Sequence, residues 1–312
     1  MAATEPQFSV VIPLYNKRRF IGATLATVLG QTLGPQEVLV VDDGSSDGGD
    51  ALVEAMDDPR IAVLRQANAG PGAARNTGAA RACGAWIAFV DADDLWAADH
   101  LERLAEVIAA HPEADLVSTA YSPASAGAPP PLPAGPHPSR ALDFLAPHRA
   151  DPIFPSSVAV RRTTLLDAGG FAPFRVGEDT DLWIRMAMKH TMAMSAAVTV
   201  HYIRDNGGLM DQAQADMVSH QAPPPSPVFA TIAALLADPS HASRHAALAA
   251  YGDGLRRRFA GQLIYNGHRQ AARALLDGCR MKGPAWWLWR LAALVPSSAM
   301  RLAIRTRALL RG

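Results

Sequence analysis

Glu37-Val-Leu-Val-Val-Asp-Asp-Gly-Ser-Ser-Asp47 decides the fold. Val38–Val41 is an unbroken apolar run of the kind a strand buried on both faces requires. It stops at two carboxylates and enters a turn, and Asp47 then stands where a helix bearing Leu52, Ala55 and Met56 would be capped. The same alternation continues to either side. Phe8–Ile12 reads as a strand ended by Pro13, and Ile21, Leu25, Val28 and Leu29 follow at helical spacing. Ile61–Leu64 is a third strand, Ala73–Cys83 a helix of small residues, and Trp86–Val90 a fourth strand. Leu101, Leu104 and Ile108 mark a further helix, Leu116–Ala120 another strand, Ser156–Arg161 a later strand and Asp179–Lys189 a helix. Strands alternating with helices predict an α/β protein with a mostly parallel sheet flanked by helices. Ligands of such sheets bind beyond the carboxyl ends of the strands.

The 312 residues carry 29 basic and 29 acidic side chains, with 49% hydrophobic and 19% charged residues. This composition excludes wholesale disorder. Two cysteines, Cys83 and Cys279, exclude a disulfide framework and fit a reducing compartment. The first seven residues have neither the basic nor the apolar region of a secretory leader. The neutral total conceals an asymmetry. Asp253 to Gly312 holds 12 basic and 2 acidic residues, which leaves 17 and 27 for residues 1–252. An acidic body suits a cation or a metal-bound ligand, and a basic tail suits an anionic partner. Pro-rich stretches at 122–139 and 221–227 read as breaks, and the chain beyond the second is helical throughout. The predicted division is a catalytic domain over 1–220 and a helical extension over 221–312.

Three acidic clusters fall at places where chemistry is expected. Asp42 and Asp43 close the second strand. Because successive side chains alternate, one should face a ligand while the other braces the turn, although both could serve only as turn formers. Asp91-Ala92-Asp93-Asp94 closes the fourth strand. Asp91 and Asp93 point to one side, and their mutual repulsion calls for a cation. Hard carboxylate oxygens favour Mg²⁺ or Mn²⁺. In Gly177-Glu178-Asp179-Thr180-Asp181-Leu182-Trp183, helical spacing puts Asp179 on the apolar face of Leu182, Trp183 and Met186. An acid so placed acquires the raised pKa of a general base, or else is a helix cap. The glycine-bearing loop Gln66–Asn76 opens a helix, and its Arg75 adds a cation for phosphate. His201 follows a β-type run, as a metal ligand, a diphosphate donor or a structural histidine.

Together these residues resemble the family-2 inverting glycosyltransferases of the GT-A fold, the Rossmann-like nucleotide-diphospho-sugar transferase architecture. Five blocks carry the resemblance in order over about residues 8–205: Phe8–Asn16, Glu37–Asp47, Asn68–Asn76, Trp86–Asp94, and Gly169-Gly-Phe171 with Gly177–Trp183. The resemblance implies that Pro13 and Tyr15 line the nucleobase pocket and that Asp43 accepts a hydrogen bond from the base. It implies that Asp93, with Asp91, holds Mn²⁺ or Mg²⁺ against the donor diphosphate and that Arg75 supports the donor. It makes Asp179 the general base, with Glu178 and Trp183 shaping the acceptor side. The implied donor is a nucleotide sugar, a UDP-sugar first. The implied acceptor is a glycan or lipid-linked hydroxyl in cell-surface polysaccharide or glycolipid synthesis, with no role for nucleic acid. Where the family often has tyrosine-arginine-x-histidine, this chain has Tyr202-Ile-Arg-Asp205.

Two other functions remain open on sequence. One is a non-catalytic nucleotide-sugar-binding or scaffold protein. The other is a nucleotidyltransferase, whose triphosphate calls for a glycine-rich first loop where this chain has Leu14-Tyr-Asn-Lys-Arg18. The tail has its own signal. Trp286, Trp287 and Trp289 lie among leucines, followed by Arg301, Arg305, Arg307 and Arg311. The apolar run is too short to span a bilayer, which takes about 20 residues. It suits peripheral contact with the inner face of a membrane, or packing on protein, including a second copy of the chain. The expected location is the cytoplasm.

Overall fold

The computed structural model describes residues 6–125, 137–147, 152–204 and 226–295. Contacts divide the chain into two units, residues 1–144 with 148–206 and residues 145–147 with 207–312. The boundary predicted at 220/221 lies outside the described residues, as do the middle of the first proline-rich stretch, most of the second, and the arginines from Arg301 onward.

The first unit is built on a nine-stranded sheet. Its strands are β1 (Phe8–Leu14), β2 (Glu37–Asp42), β3 (Ile61–Arg65), β4 (Trp86–Phe89), β5 (Leu95–Trp96), β6 (Leu116–Ser125), β7 (Ser139–Ala141), β8 (Val158–Arg161) and β9 (Met192–Arg204). The order is β3-β2-β1-β4-β8-β6-β9-β5, with β7 also paired to β9. β1 to β4, β6 and β9 run one way, and β5, β7 and β8 run against them. Helices α1 (Arg18–Leu29), α2 (Gly49–Glu54), α3 (Pro71–Arg81), α4 (His100–Ala110), α5 (Arg162–Asp167) and α6 (Glu178–Lys189) complete the unit.

Alternation along the strands assigns the layers. Val10, Ile12, Val38 and Val40 join one core with Ile21, Leu25 and Val28 of α1 and with Leu101, Leu104 and Val107 of α4. Val11 points to the other face, against α3, where Gly78 leaves no room for a Cβ beside the valine methyls. On that face Phe89 meets Phe171 edge-on at 5.3 Å, and Phe171 meets Trp183 at 6.0 Å. The register Leu14↔Asp42 and Val11↔Phe89 brings the carboxyl ends of β1, β2 and β4 to one edge.

Several boundaries differ from expectation. Residues 122–125, read as loop, extend β6, with Pro123 registered on Tyr202 of β9. Pro155–Ser157 is a 3₁₀ turn, so β8 starts only at Val158. The cap of α2 is Gly48, at φ +75°, while Asp47 Oδ1 accepts from the Gly49 N–H at 3.0 Å. Likewise α6 starts at Glu178 behind Gly177, whose φ of +86° only glycine adopts readily, so Asp179 is not its cap.

The second unit is helical: α7 (Val228–Ala237), α8 (His245–Tyr265), α9 (Arg269–Asp277) and α10 (Pro284–Ala292). Ala260, Leu263, Ile264, Ala272, Leu276, Cys279, Trp286 and Ala293 form its core. Buried Asp253 accepts the N–H groups of Arg280 and Met281 at 2.9 and 2.7 Å, tying the chain after α9 back to α8. The tail tryptophans divide their roles. Trp286 is buried and donates Nε1–H to the Leu276 carbonyl at 2.6 Å, and the Trp289 ring lies over Gly261. Trp287, Leu288, Leu291, Leu294 and Val295 face outward, 41–68% exposed.

Candidate active site

The site lies at the shared carboxyl edge. Two loops are laced together there. Ser46 N–H donates to Asn16 Oδ1 at 2.8 Å, Asn16 N–H to Ser45 Oγ at 3.1 Å, and Arg18 N–H to Asp47 Oδ2 at 2.8 Å. Pro13 is half-buried at the end of β1, and the Tyr15 side chain after it is 49% exposed.

The Asp42–Asp43 pair is more structural than expected. Asp42 Oδ1 accepts from Ser45 N–H at 3.1 Å and closes its own turn. Asp43 is 3% exposed and reaches across to the glycine loop. Its Oδ1 accepts from Gln66 Nε2 and Ala69 N–H, and its Oδ2 from Gly70 N–H, each at 2.8 Å. These bonds use three of a carboxylate's roughly four acceptor positions and leave about one for a ligand. The loop so held delivers the chain into α3 at Pro71.

Arg75, on α3, is the hub of the site. It is 3% exposed. Nη2 binds Asp91 Oδ1 at 2.6 Å, and Nη1 binds Glu178 Oε1 at 2.9 Å. One guanidinium therefore ties the end of β4 to the start of α6. Burial opposes its charge, but the Asp91 and Glu178 carboxylates hold it protonated above its ordinary range. Gly72 makes this approach possible, because a Cβ there would come within 3.0 Å of Glu178 Cγ. Asn76 adds a second tie, exchanging two hydrogen bonds with the backbone of Phe171 at 2.8 and 2.9 Å.

Glu178 and Asp179 carry perturbed acidities. Burial, reinforced by the neighbouring Asp179 charge against the pull of Arg75, raises Glu178 to about 7. Burial also raises Asp179, offset by hydrogen bonds from Thr180 and by Arg75. Asp179 Oδ1 accepts from Thr180 N–H at 2.6 Å, and Oδ2 takes no hydrogen bond from a described residue. The half-buried carboxylate thus keeps one oxygen for a proton from outside the chain. Trp183 is 1% exposed, so it backs the site through Phe171 and presents no face to a ligand.

Asp91, Asp93 and Asp94 lie in the turn beyond β4, which ends at Phe89, so their directions are set by their partners and not by the strand alternation expected from the sequence. Asp93 is paired with Lys17 Nζ at 2.6 Å, and burial raises its pKa against that ammonium. Asp94 is wholly buried and anchors the turn. It accepts from Ser156 Oγ at 2.5 Å and from Ile203 N–H at 3.0 Å, and Ser156 Oγ also receives Asp91 N–H at 3.0 Å. Among the described residues, no group of three His, Cys, Asp or Glu side chains is placed to hold a metal ion. His201 lies on β9 opposite Leu95 of β5. It is 7% exposed, its Nδ1 has no partner among the described residues, and burial lowers its pKa. Neither Lys17 nor Ser156 stands out in the sequence, because nothing local marks a long-range partner.

A mixed sheet flanked by helices, with acids beyond its parallel strand ends and a carboxylate opening a helix beside them, is the GT-A architecture. The family model of glycosyl transferase family 2 matches residues 9–169, just over half of the chain. The chain belongs to that family. Over 102 residues it is 41% identical to the succinoglycan biosynthesis protein ExoO of Rhizobium meliloti, covering 32% of this chain and 29% of that one. Over 95 residues it is 43% identical to the Escherichia coli UDP-Glc:alpha-D-GlcNAc-diphosphoundecaprenol beta-1,3-glucosyltransferase WfgD, covering 30% and 38%. The matched stretch is thus well under half of either relative. S. aureus TarS 1–349 in complex with UDP has the same fold, with a TM-score of 0.61 at 20% identity over 96% of this chain and 91% of that one.

Proposed function

We propose that the chain is an inverting glycosyltransferase that moves a sugar from a nucleotide sugar, a UDP-sugar first, to a hydroxyl on a glycan or lipid-linked acceptor. The observation that carries this reading is the Asp91–Arg75–Glu178 bridge, which keeps Asp179 within electrostatic reach of Asp91. Asp179 takes the acceptor's hydroxyl proton on Oδ2 as the acceptor oxygen attacks the anomeric carbon. The bond to the nucleoside diphosphate breaks on the opposite face, and configuration inverts. Arg75 holds Asp91 and Glu178 in place. Asp43 has room for one more donor, which suits a base N–H, and Pro13 and Tyr15 would line the base beside it.

The strand-end acids suit a hard cation. Asp91 and Asp93 would hold Mn²⁺ or Mg²⁺, with diphosphate oxygens and water completing the shell, as such ions prefer. When bound, the cation supplies charge compensation for the leaving diphosphate. ExoO and WfgD, by their names, favour cell-surface polysaccharide synthesis and a nucleotide-sugar donor, and TarS solved with UDP supports the same donor class.

The test is incubation with a panel of nucleotide sugars, acceptor extracts and Mn²⁺. Release of nucleoside diphosphate, lost in Asp93→Ala with the fold intact, is expected. Pyrophosphate release would instead mark a nucleotidyltransferase, and donor binding without any product a binding protein. Full Mn²⁺-dependent turnover in Asp93→Ala would remove the metal from this carboxylate.

We also propose that the second unit serves as an extension that rests on anionic lipid at the inner face of a membrane. No helix among the described residues is long and apolar enough to cross a membrane. The outward row Trp287, Leu288, Leu291, Leu294 and Val295 belongs to a stretch with 12 basic and 2 acidic residues, the pairing that interfacial helices use. The full chain should float with phosphatidylglycerol vesicles at low salt and much less with phosphatidylcholine. Trp287→Ser with Leu291→Ser should abolish flotation and leave folding intact. Equal flotation of both forms, or a variant that only turns a dimer into a monomer, would reject the lipid surface.

A further inference from the structure

We propose that Lys17 is the resident counter-ion of Asp93, which a divalent cation displaces, and that the displaced ammonium passes to the donor's diphosphate. This rests on the assignment of Asp91 and Asp93 to the metal. The sequence singled out both acids but not the cation facing them.

Both carboxylates are already neutralised from within the chain. Asp91 carries Arg75 at 2.6 Å and Asp93 carries Lys17 Nζ at 2.6 Å. A divalent ion approaching Asp93 therefore meets an ammonium on the same carboxylate, and the two positive charges repel across a poorly hydrated space. One cation must yield. Arg75 is locked, since its planar fork is 3% exposed and shared with Glu178. Lys17 reaches Asp93 on a flexible four-carbon stem from the turn between β1 and α1, with its ammonium 5.4 Å from the Phe20 ring. It is 16% exposed, against 15% for Asp93. Lys17 is therefore the cation that can move at least cost.

Its destination follows from where it is rooted. The turn carrying Lys17 is laced to the loop after β2 through Asn16 and Asp47, on the edge where Asp43 would meet the nucleobase. A donor spanning from Asp43 to Asp93 brings its diphosphate past this turn. The diphosphate then supplies the anion that Lys17 loses and the oxygens that a metal shell needs. Metal and nucleotide diphosphate thus favour each other's binding, and the coupling is reciprocal. Without nucleotide, Lys17 keeps the metal weakly bound.

The experiment is Mn²⁺ binding to the full chain, followed by electron paramagnetic resonance with and without UDP, in wild type, Lys17→Met, Lys17→Arg and Asp93→Asn. Lys17→Met keeps the stem, and thermal unfolding checks its fold. With no UDP, Lys17→Met should bind Mn²⁺ about tenfold more tightly than wild type, and the gain that UDP brings should shrink by about the same factor. Lys17→Arg, which keeps the charge, should return Mn²⁺ affinity to the wild-type level. If Asp93→Asn loses Mn²⁺ while Lys17→Met binds it as wild type does, the metal assignment stands and the Lys17 proposal is overturned. If Asp93→Asn binds Mn²⁺ as wild type does, the metal assignment falls and this proposal falls with it.

Discussion

Asp179→Asn should lower kcat by roughly 10²–10⁴-fold, the usual worth of a positioned general base, and leave the Kd for the nucleotide sugar unchanged. The substitution keeps the shape and the Thr180 hydrogen bond but removes the ability to take a proton. Turnover assays and calorimetry on one preparation separate the two quantities. Donor binding lost together with turnover would make Asp179 a donor residue. The acidity of the site adds a pH signature. Burial raises Asp179, so its ionised form is depleted at a higher pH than for an ordinary aspartate. The acid limb of kcat/KM should therefore lie at a higher pH than an ordinary aspartate would give. Glu178 is held at about 7 partly by the Asp179 charge, so in Asp179→Asn it should ionise at lower pH, which carboxylate infrared bands would register.

Arg75→Met should be the most destabilising of the proposed substitutions. It strips the counter-charge from Asp91 and Glu178 at once, and breaking a buried pair in this way costs about 3–5 kcal/mol. For a chain of this size that is a fall in Tm of roughly 10 °C. The deficit should depend on pH. Glu178 has a raised folded pKa, so the stability it contributes is complete below its unfolded value and declines as pH rises toward about 7. Without Arg75 the folded pKa rises further, and the decline continues above 7. The gap between variant and wild type should thus be larger at pH 8.5 than at pH 6. An equal gap at both values would mean that Glu178 does not depend on Arg75 for its charge.

The fold was legible in the sequence where strands are buried on both faces. Phe8–Ile12 and Val38–Val41 each fall within a residue or two of the observed β1 and β2, because apolar runs bounded by turn residues have few other uses, and Ile61–Leu64 marks the part-exposed edge strand β3 as closely. Legibility failed where neighbours decide. β5 has only two residues and exists because β9 pairs with it. Residues 122–125 look like loop, yet β9 recruits them into the sheet. At the site, the sequence located the acids at strand ends but not their partners. Asp43 was read as facing a ligand, whereas most of its acceptor capacity binds the 66–70 loop. The pairing of Arg75 with Glu178 joins residues 103 apart, and no periodicity or spacing encodes it.

The anchoring of Asp94 bears on how the protein is made. Its two partners, Ser156 and Ile203, follow it by 62 and 109 positions in the chain. Thr24 Oγ1 of α1 already lies within 3.0 Å of the Ala92 and Asp94 carbonyls, so what synthesis delivers well after β1 to β4 and the acids at their ends is the pair of donors to the Asp94 carboxylate. In that interval Asp94 has neither donor, and the turn is better left in water, where a carboxylate is solvated at no cost. Only when β9 leaves the ribosome does the carboxylate find its donors and the edge of the sheet set. The nucleotide-facing half of the molecule can thus gather early while its reactive corner is among the last parts to lock, which ties the onset of activity to completion of the sheet.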